Sequence, residues 1–236
     1  DTNTPYIYRT SGVDNLNFAT SGTERLRINS SGQVQIGNSA SGFTTKLIAG
    51  TGSGDNGITV YSGTSNNAFL HFADGDSGSD RYRGYVNYSH SDNSMQFATN
   101  DTESLRIDSS GRILKGLTSP RGNYGNNTSG VEYGVQIEGT SAITASVSIV
   151  RNSNDSNDGG IILGKTRATS NGGNTVVQAG DDLGNLTFAG NDGSTMLFGA
   201  EIFAEVQSGV GNDDMPADLI FKTNGGSTST TERLRI

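Results

Sequence analysis

The chain has no cysteine. That excludes a disulfide framework, a thiolate zinc site and a cysteine nucleophile. Apolar material is scarce: hydrophobic residues fill 31% of 236 positions, well under the usual share. So thin a supply does not readily offset the ordering cost of a compact monomer. Helix signals are almost missing, and no apolar run approaches membrane-spanning length. Positive charge is in deficit. With 16 Lys and Arg against 24 Asp and Glu, the formal net charge is −8. A nucleic-acid or anionic-membrane partner requires a basic face, so neither is expected. Histidine is limited to His71 and His90, and no repeated spacing suggests a metal ligand.

What is abundant is glycine, at 34 residues, with Ser, Asn and Asp around it. These strings separate short alternating segments: Tyr6–Tyr8, Val34–Ile36, Ile58–Val60, Phe69–His71, Tyr85–Asn87, Val135–Ile137, Val147–Ile149, Ile161–Leu163, Leu186–Phe188 and Gly199–Val206. A period of two with such punctuation predicts an all-β protein of short strands, not disorder.

One phrase occurs three times, at Leu16–Ile28, Met95–Ile107 and Leu219–Ile236. Each copy has an apolar residue and a Phe two apart, then a Thr, a turn, and T-E-x-L-R-I. Internal repeats decide architecture before any single residue does. The first strand carries Leu16 and Phe18, Met95 and Phe97, or Leu219 and Phe221. The second carries Leu26 and Ile28, Leu105 and Ile107, or Leu234 and Ile236. Strict alternation predicts Glu24, Leu26 and Ile28 on one face and Thr23, Arg25 and Arg27 on the other. Ser21–Gly22 and Asn100–Asp101 suit two-residue hairpin loops, and Asn224–Thr230 lengthens the third. The first two copies run into Ser30-Ser31-Gly32 and Ser109-Ser110-Gly111, then a short strand ending at Gly37 or Gly116.

Spacing is unequal, which rules out a fixed-period solenoid and predicts modules that share a closing hairpin. Residues 1–40 read as the end of an upstream module, 41–116 as a complete one, and 131–236 as a larger, unfinished one. Residues 117–130, with Pro120, read as a connector. The chain starts at Asp1 and stops inside the third phrase, which predicts a window from a longer repetitive protein.

Carboxylate pairs occur at Asp74 and Asp76, Asp181 and Asp182, Asp213 and Asp214, and Glu201 and Glu205. Glycan cleavage needs two carboxylates flanking a bond. Most of these pairs lie in Gly/Asn-rich turns, where Asp caps local backbone. Asp74, Asp76 and Asp80 miss the EF-hand spacing. Gly50–Gly57 lacks a P-loop ending. Tyr82, Tyr85 and Tyr88 with Arg81 and Arg83 suggest a sugar-binding surface, but strand packing is the preferred account. No catalytic residue, cofactor or metal ligand is predicted.

The phrases T-E-R-L-R-I, S-S-G-x-V-x-I-G and Y-R-G-Y-V-N-Y-S-H-S-D-N-S-M-Q-F resemble tail-fibre proteins of tailed phages, especially those of cyanobacteria. Val135–Arg151, Ile161–Gly199 and Ala200–Thr223 are similar to the same family. The resemblance implies a virion structural protein, extracellular, built as an elongated homotrimeric fibre. It also implies a place upstream of a C-terminal intramolecular chaperone domain, of which nothing is present here. Implied partners are copies of itself, other tail or virion proteins, and a host glycan or protein receptor. The physics agrees independently, because a lone hairpin is marginal in water and its apolar face needs a neighbour. The twelve apolar residues of the phrase are the expected trimer core. Glu24 with Arg27, Glu103 with Arg106, and Glu232 with Arg235 are expected as interchain ion pairs. Competing expectations are a trimeric tailspike depolymerase and a bacterial surface adhesin.

Overall fold

The computed structural model describes residues 4–37, 45–50, 54–124 and 132–236. The chain forms two compact units, Asp1–Ser62 and Gly63–Ile236. The fold is all-β, with one 3₁₀ turn at Gly78–Tyr82.

The first unit holds one sheet: β1 (Tyr6–Tyr8), β2 (Leu16–Thr20), β3 (Thr23–Ile28), β4 (Val34–Gly37) and β5 (Leu47–Gly50), in that spatial order. The second unit holds two. One has β6 (Asn67–Phe72), β7 (Gly84–Ser89), β8 (Ser94–Thr99), β9 (Thr102–Ile107), β10 (Ile113–Lys115) and β11 (Val135–Ile137), again as sequential neighbours. The other has β12 (Asp182–Asn191), β13 (Met196–Val206), β14 (Ala217–Thr223) and β15 (Thr231–Arg235).

The repeated phrase becomes the hairpins β2–β3, β8–β9 and β14–β15. In the first two turns both central residues have positive φ: 53° and 72° at Ser21 and Gly22, 51° and 60° at Asn100 and Asp101. That conformation matches the right-handed twist of the flanking strands. In the third copy the Asn224 side chain takes over. Its Oδ1 accepts from the amides of Gly226 and Ser227, at 2.8 and 2.9 Å.

All three hairpins contain the same bulge. Phe18 faces Leu26 while Ala19 faces Glu24, which leaves Arg25 as the extra residue. Ser104 and Arg233 are extra in the other two copies. Strict alternation therefore fails at one point. Glu24 does not share a face with Leu26 and Ile28, as the sequence predicts. The additional residue moves it to the face of Arg27.

Two further strands join in parallel. β5 pairs with β4 and β11 with β10. The first sheet thus reaches past residue 40 to Gly50, and the second reaches across the predicted connector. Residues 41–44 and 125–130 of those segments lie outside the described residues, as do positions 51–53 of the Gly50–Gly57 run.

Three predicted strands are not formed: Ile58–Val60, Val147–Ile149 and Ile161–Leu163 lie in irregular backbone. A strand exists through its ladder, and these segments form no ladder with any strand among the described residues.

Candidate assembly surface

Each sheet has a face of apolar rows left largely exposed, because cross-strand partners of like character are stacked there. In the first sheet Leu16 lies opposite Ile28, and Phe18, Leu26 and Ile36 form one row. In the second, Met95, Ile107, Ile113 and Val135 form a row, and Leu70, Val86, Phe97 and Leu105 form another. In the third, Leu186, Ile202, Phe221 and Leu234 line up beside Leu219 and Ile236. The twelve predicted core residues therefore sit on these faces, and none of them is buried within the chain. Leu70 remains 58% exposed, Leu234 51% and Ile236 73%. Contiguous apolar surface of this kind marks an interaction site.

In the third sheet the opposite face buries Phe203 and Ile220 beside Lys222 and Arg235; in the first two it is packed with polar groups. Asn17, Gln35, Asn87, Ser94, Arg106 and Gln136 are buried there, beside Ala19, Ala98 and Leu114. The bulge makes this possible, since it brings each Glu next to the Arg three positions on. Arg27 Nη2 lies 2.8 Å from Glu24 Oε2, and Arg27 Nε donates to Asn17 Oδ1 at 3.1 Å. Arg106 donates to both carboxylate oxygens of Glu103 at 2.8 and 2.7 Å, to Asp92 at 2.7 Å and to Ser94 at 3.0 Å. Arg235 holds Glu232 and Glu205 at 2.9 Å and Asp218 at 3.0 Å. Each Glu–Arg pair that the sequence suggests as interchain is an ion pair within the chain here. Hydrogen bonds from Ser89, Ser94 and Arg106 hold the Asp92 carboxyl below the usual range. The hydrogen bonds that Arg106 donates to Glu103 raise the pKa of its guanidinium further.

The remaining candidates are dispersed. Asp74 and Asp80 both face Arg83, at 3.5 and 3.4 Å. Asp181 is buried and takes Lys165 at 2.8 Å and Arg167 at 2.7 Å. Bonds from Arg167, Lys165 and the Gln178 amide push its pKa far down. Glu201 accepts from the Thr230 hydroxyl, and Glu205 is held by Arg235. Among the described residues, no group of three His, Asp or Glu side chains could hold a metal ion. Tyr85 packs with Phe69 and His71, whereas Tyr88 lies between Ala68 and Met95 on the other face. The three tyrosines do not make one platform.

Sequence reasoning passed over Asn29 and Asp108. The Asn29 Oδ1 accepts from the amides of Ser31 and Gln33, both at 3.0 Å. Asp108 Oδ1 does the same for Ser110 and Arg112, at 2.9 and 3.0 Å. The signal was available as an Asx residue directly before each S-S-G. Gly37 and Gly116 were noticed as strand ends, but their reason is spatial. A Cβ at Gly37 would lie 2.6 Å from the Gly50 carbonyl oxygen, and one at Gly116 would lie 2.1 Å from that of Glu138.

No protein-family model matches the chain, and no curated protein matches it significantly. Among solved structures, the chain is similar to the carboxy-terminal domain of the L-shaped tail fibre of bacteriophage T5. The two are 11% identical, with a TM-score of 0.55 over 85% of this chain and 86% of that one. At that identity the likeness is one of fold: the all-β architecture described here is similar to that of a phage tail-fibre domain.

Proposed function

We propose that the chain is a structural segment of a bacteriophage tail fibre. It acts as a homotrimer whose β-modules form a rigid shaft on the virion and support attachment to a host-surface glycan or protein receptor. Neighbouring tail proteins are its other partners. The observation that carries this reading is the apolar face of each sheet, built every time from the same phrase and only partly covered by the described residues. Three copies around an axis cover such faces mutually, and head-to-tail contact closes into a ring without polymerising. Full burial of a Leu or Ile contributes about 1.5–3 kcal/mol, so the half-covered residues here retain a substantial share to gain. Three identical tips raise the effective concentration at a repetitive cell surface. The fold likeness to a T5 fibre domain supports the same reading.

The role is mechanical and not enzymatic. In three of the four acidic pairs one carboxylate is held by a cation: Asp74 by Arg83, Asp181 by Lys165 and Arg167, and Glu205 by Arg235.

Sedimentation velocity and light scattering across a concentration series test the proposal. The expected species is a trimer that persists on dilution. A folded monomer at every concentration overturns it.

A further inference from the structure

The segment between β11 and β12 contains two stretches whose ends are fixed and whose middles are not. The Lys115 ammonium donates to the Thr144 carbonyl at 3.0 Å, which ties the start of the first stretch to the second sheet. Lys165 and Arg167 bind buried Asp181, which ties the end of the second stretch to the third sheet. The tip is equally ordered. Arg151 donates to Asp155 and to the Asn157 carbonyl, both at 2.7 Å, and Asp155 accepts from the Asn157 amide at 2.9 Å. Between these fixed points run two arms, Val147–Val150 and Ile161–Leu163. Among the described residues, no backbone-to-backbone hydrogen bond involves either arm. Their apolar side chains stand in solvent, with Val150 73% and Ile162 95% exposed. A cavity of about 280 Å³ lies between them, lined by Val147, Ile149, Gly159, Gly160 and Ile161. It is small and aliphatic, below the roughly 300–1,000 Å³ of a typical organic ligand site.

We propose that these arms are strands completed only on assembly. Val147–Val150 of one copy pairs with Ile161–Leu163 of the next, each copy giving one arm and receiving another. The inference rests on the trimeric reading and names the segment that interlocks it. Two needs decide the occupant. The arms require backbone partners, and their side chains require apolar ones; an added strand supplies both together. Charge decides between a foreign strand and a second copy. Despite the net charge of −8, neither Ser146–Val150 nor Gly159–Gly164 carries an ionisable side chain, so identical copies meet there without repulsion. The site is also continuous with the surface already described. Leu163 lies against Gly184 of β12, where an added Cβ would meet the Leu163 Cβ at 2.4 Å. Leu186 and Phe188 on that strand are exposed.

The absence of native cysteine makes the test clean. The double variant Ser148→Cys with Ile162→Cys, oxidised mildly, should give covalent dimers and trimers on a non-reducing gel, since a disulfide requires Cα atoms within about 7 Å. Hydrogen exchange of the unmodified assembly should show both arms protected about 100-fold or more over random-coil rates. An intrachain bond, or random-coil exchange in both arms, in a particle that light scattering finds trimeric overturns the inference and leaves the proposed function standing. A particle that is monomeric by light scattering overturns both.

Discussion

Arg106 is a charged side chain that the protein buries, and its environment explains how. Glu103, Asp92 and Ser94 satisfy its donors in a fixed fork, which a lysine could not reproduce. Arg106→Ala should cost about 2–3 kcal/mol. That is below the ~3–5 kcal/mol of a fully buried pair because Asp92 remains half exposed. Arg25 occupies the bulge position, exposed, with one bond to Thr20. Its replacement by Ala should change stability by less than about 0.5 kcal/mol. Urea unfolding midpoints of the two variants check the assignment of faces. Equal shifts would mean that the bulge does not sort the arginines as described.

At the scale of the element, the hairpin is self-contained, whereas the parallel strand that follows it depends on one glycine. Gly116 has φ +78°, and a Cβ there would collide with the Glu138 carbonyl. Gly116→Ala should cost about 3 kcal/mol and abolish exchange protection at Val135–Ile137. Gly111 has the same φ of +78° but open space around it. Gly111→Ala should cost only about 1–2 kcal/mol and leave that protection intact. If both variants behave alike, backbone strain and not close approach sets the requirement. This contrast also marks what a sequence reveals. The hairpins were legible, because Leu16 with Phe18 and Leu26 with Ile28 alternate on either side of a recognisable turn. The bulge was not, because Arg25 and Ser104 have side chains that fit any exposed position. The parallel additions β5 and β11 were hidden by the length of chain before them. Val147–Ile149 and Ile161–Leu163 have the right period but no strand partner among the described residues, so periodicity alone overstated them. Of the assembly surface, the apolar residues were readable; the side on which Glu24 lies was not.

For the molecule as a whole, acid is the informative perturbation. Asp92 is lowered by bonds from Ser89, Ser94 and Arg106, Asp181 by Arg167 and Lys165, and Glu138 and Glu232 by Arg121 and Arg235. A carboxyl whose folded pKa is depressed stabilises the fold above its unfolded value, near 4, and loses that contribution as pH falls through the folded value. Melting temperature should therefore be flat from pH 7 to about 5 and should drop below about 4. Neutralising the net charge works in the opposite sense, but at physiological salt it is screened beyond about 8 Å. Thermal melts at pH 7, 5, 4 and 3 separate the two; a rise on acidification would make self-repulsion the larger effect. The loop after each of the first two hairpins has a different kind of consequence. Asn29 and Asp108 fold the same S-S-G turn with the same pair of amide bonds. A polypeptide spliced from Ile28 directly to Asp108 would cross the join with every local donor and acceptor still matched. Length can thus be inherited, gained or lost in whole segments without rewriting the seam.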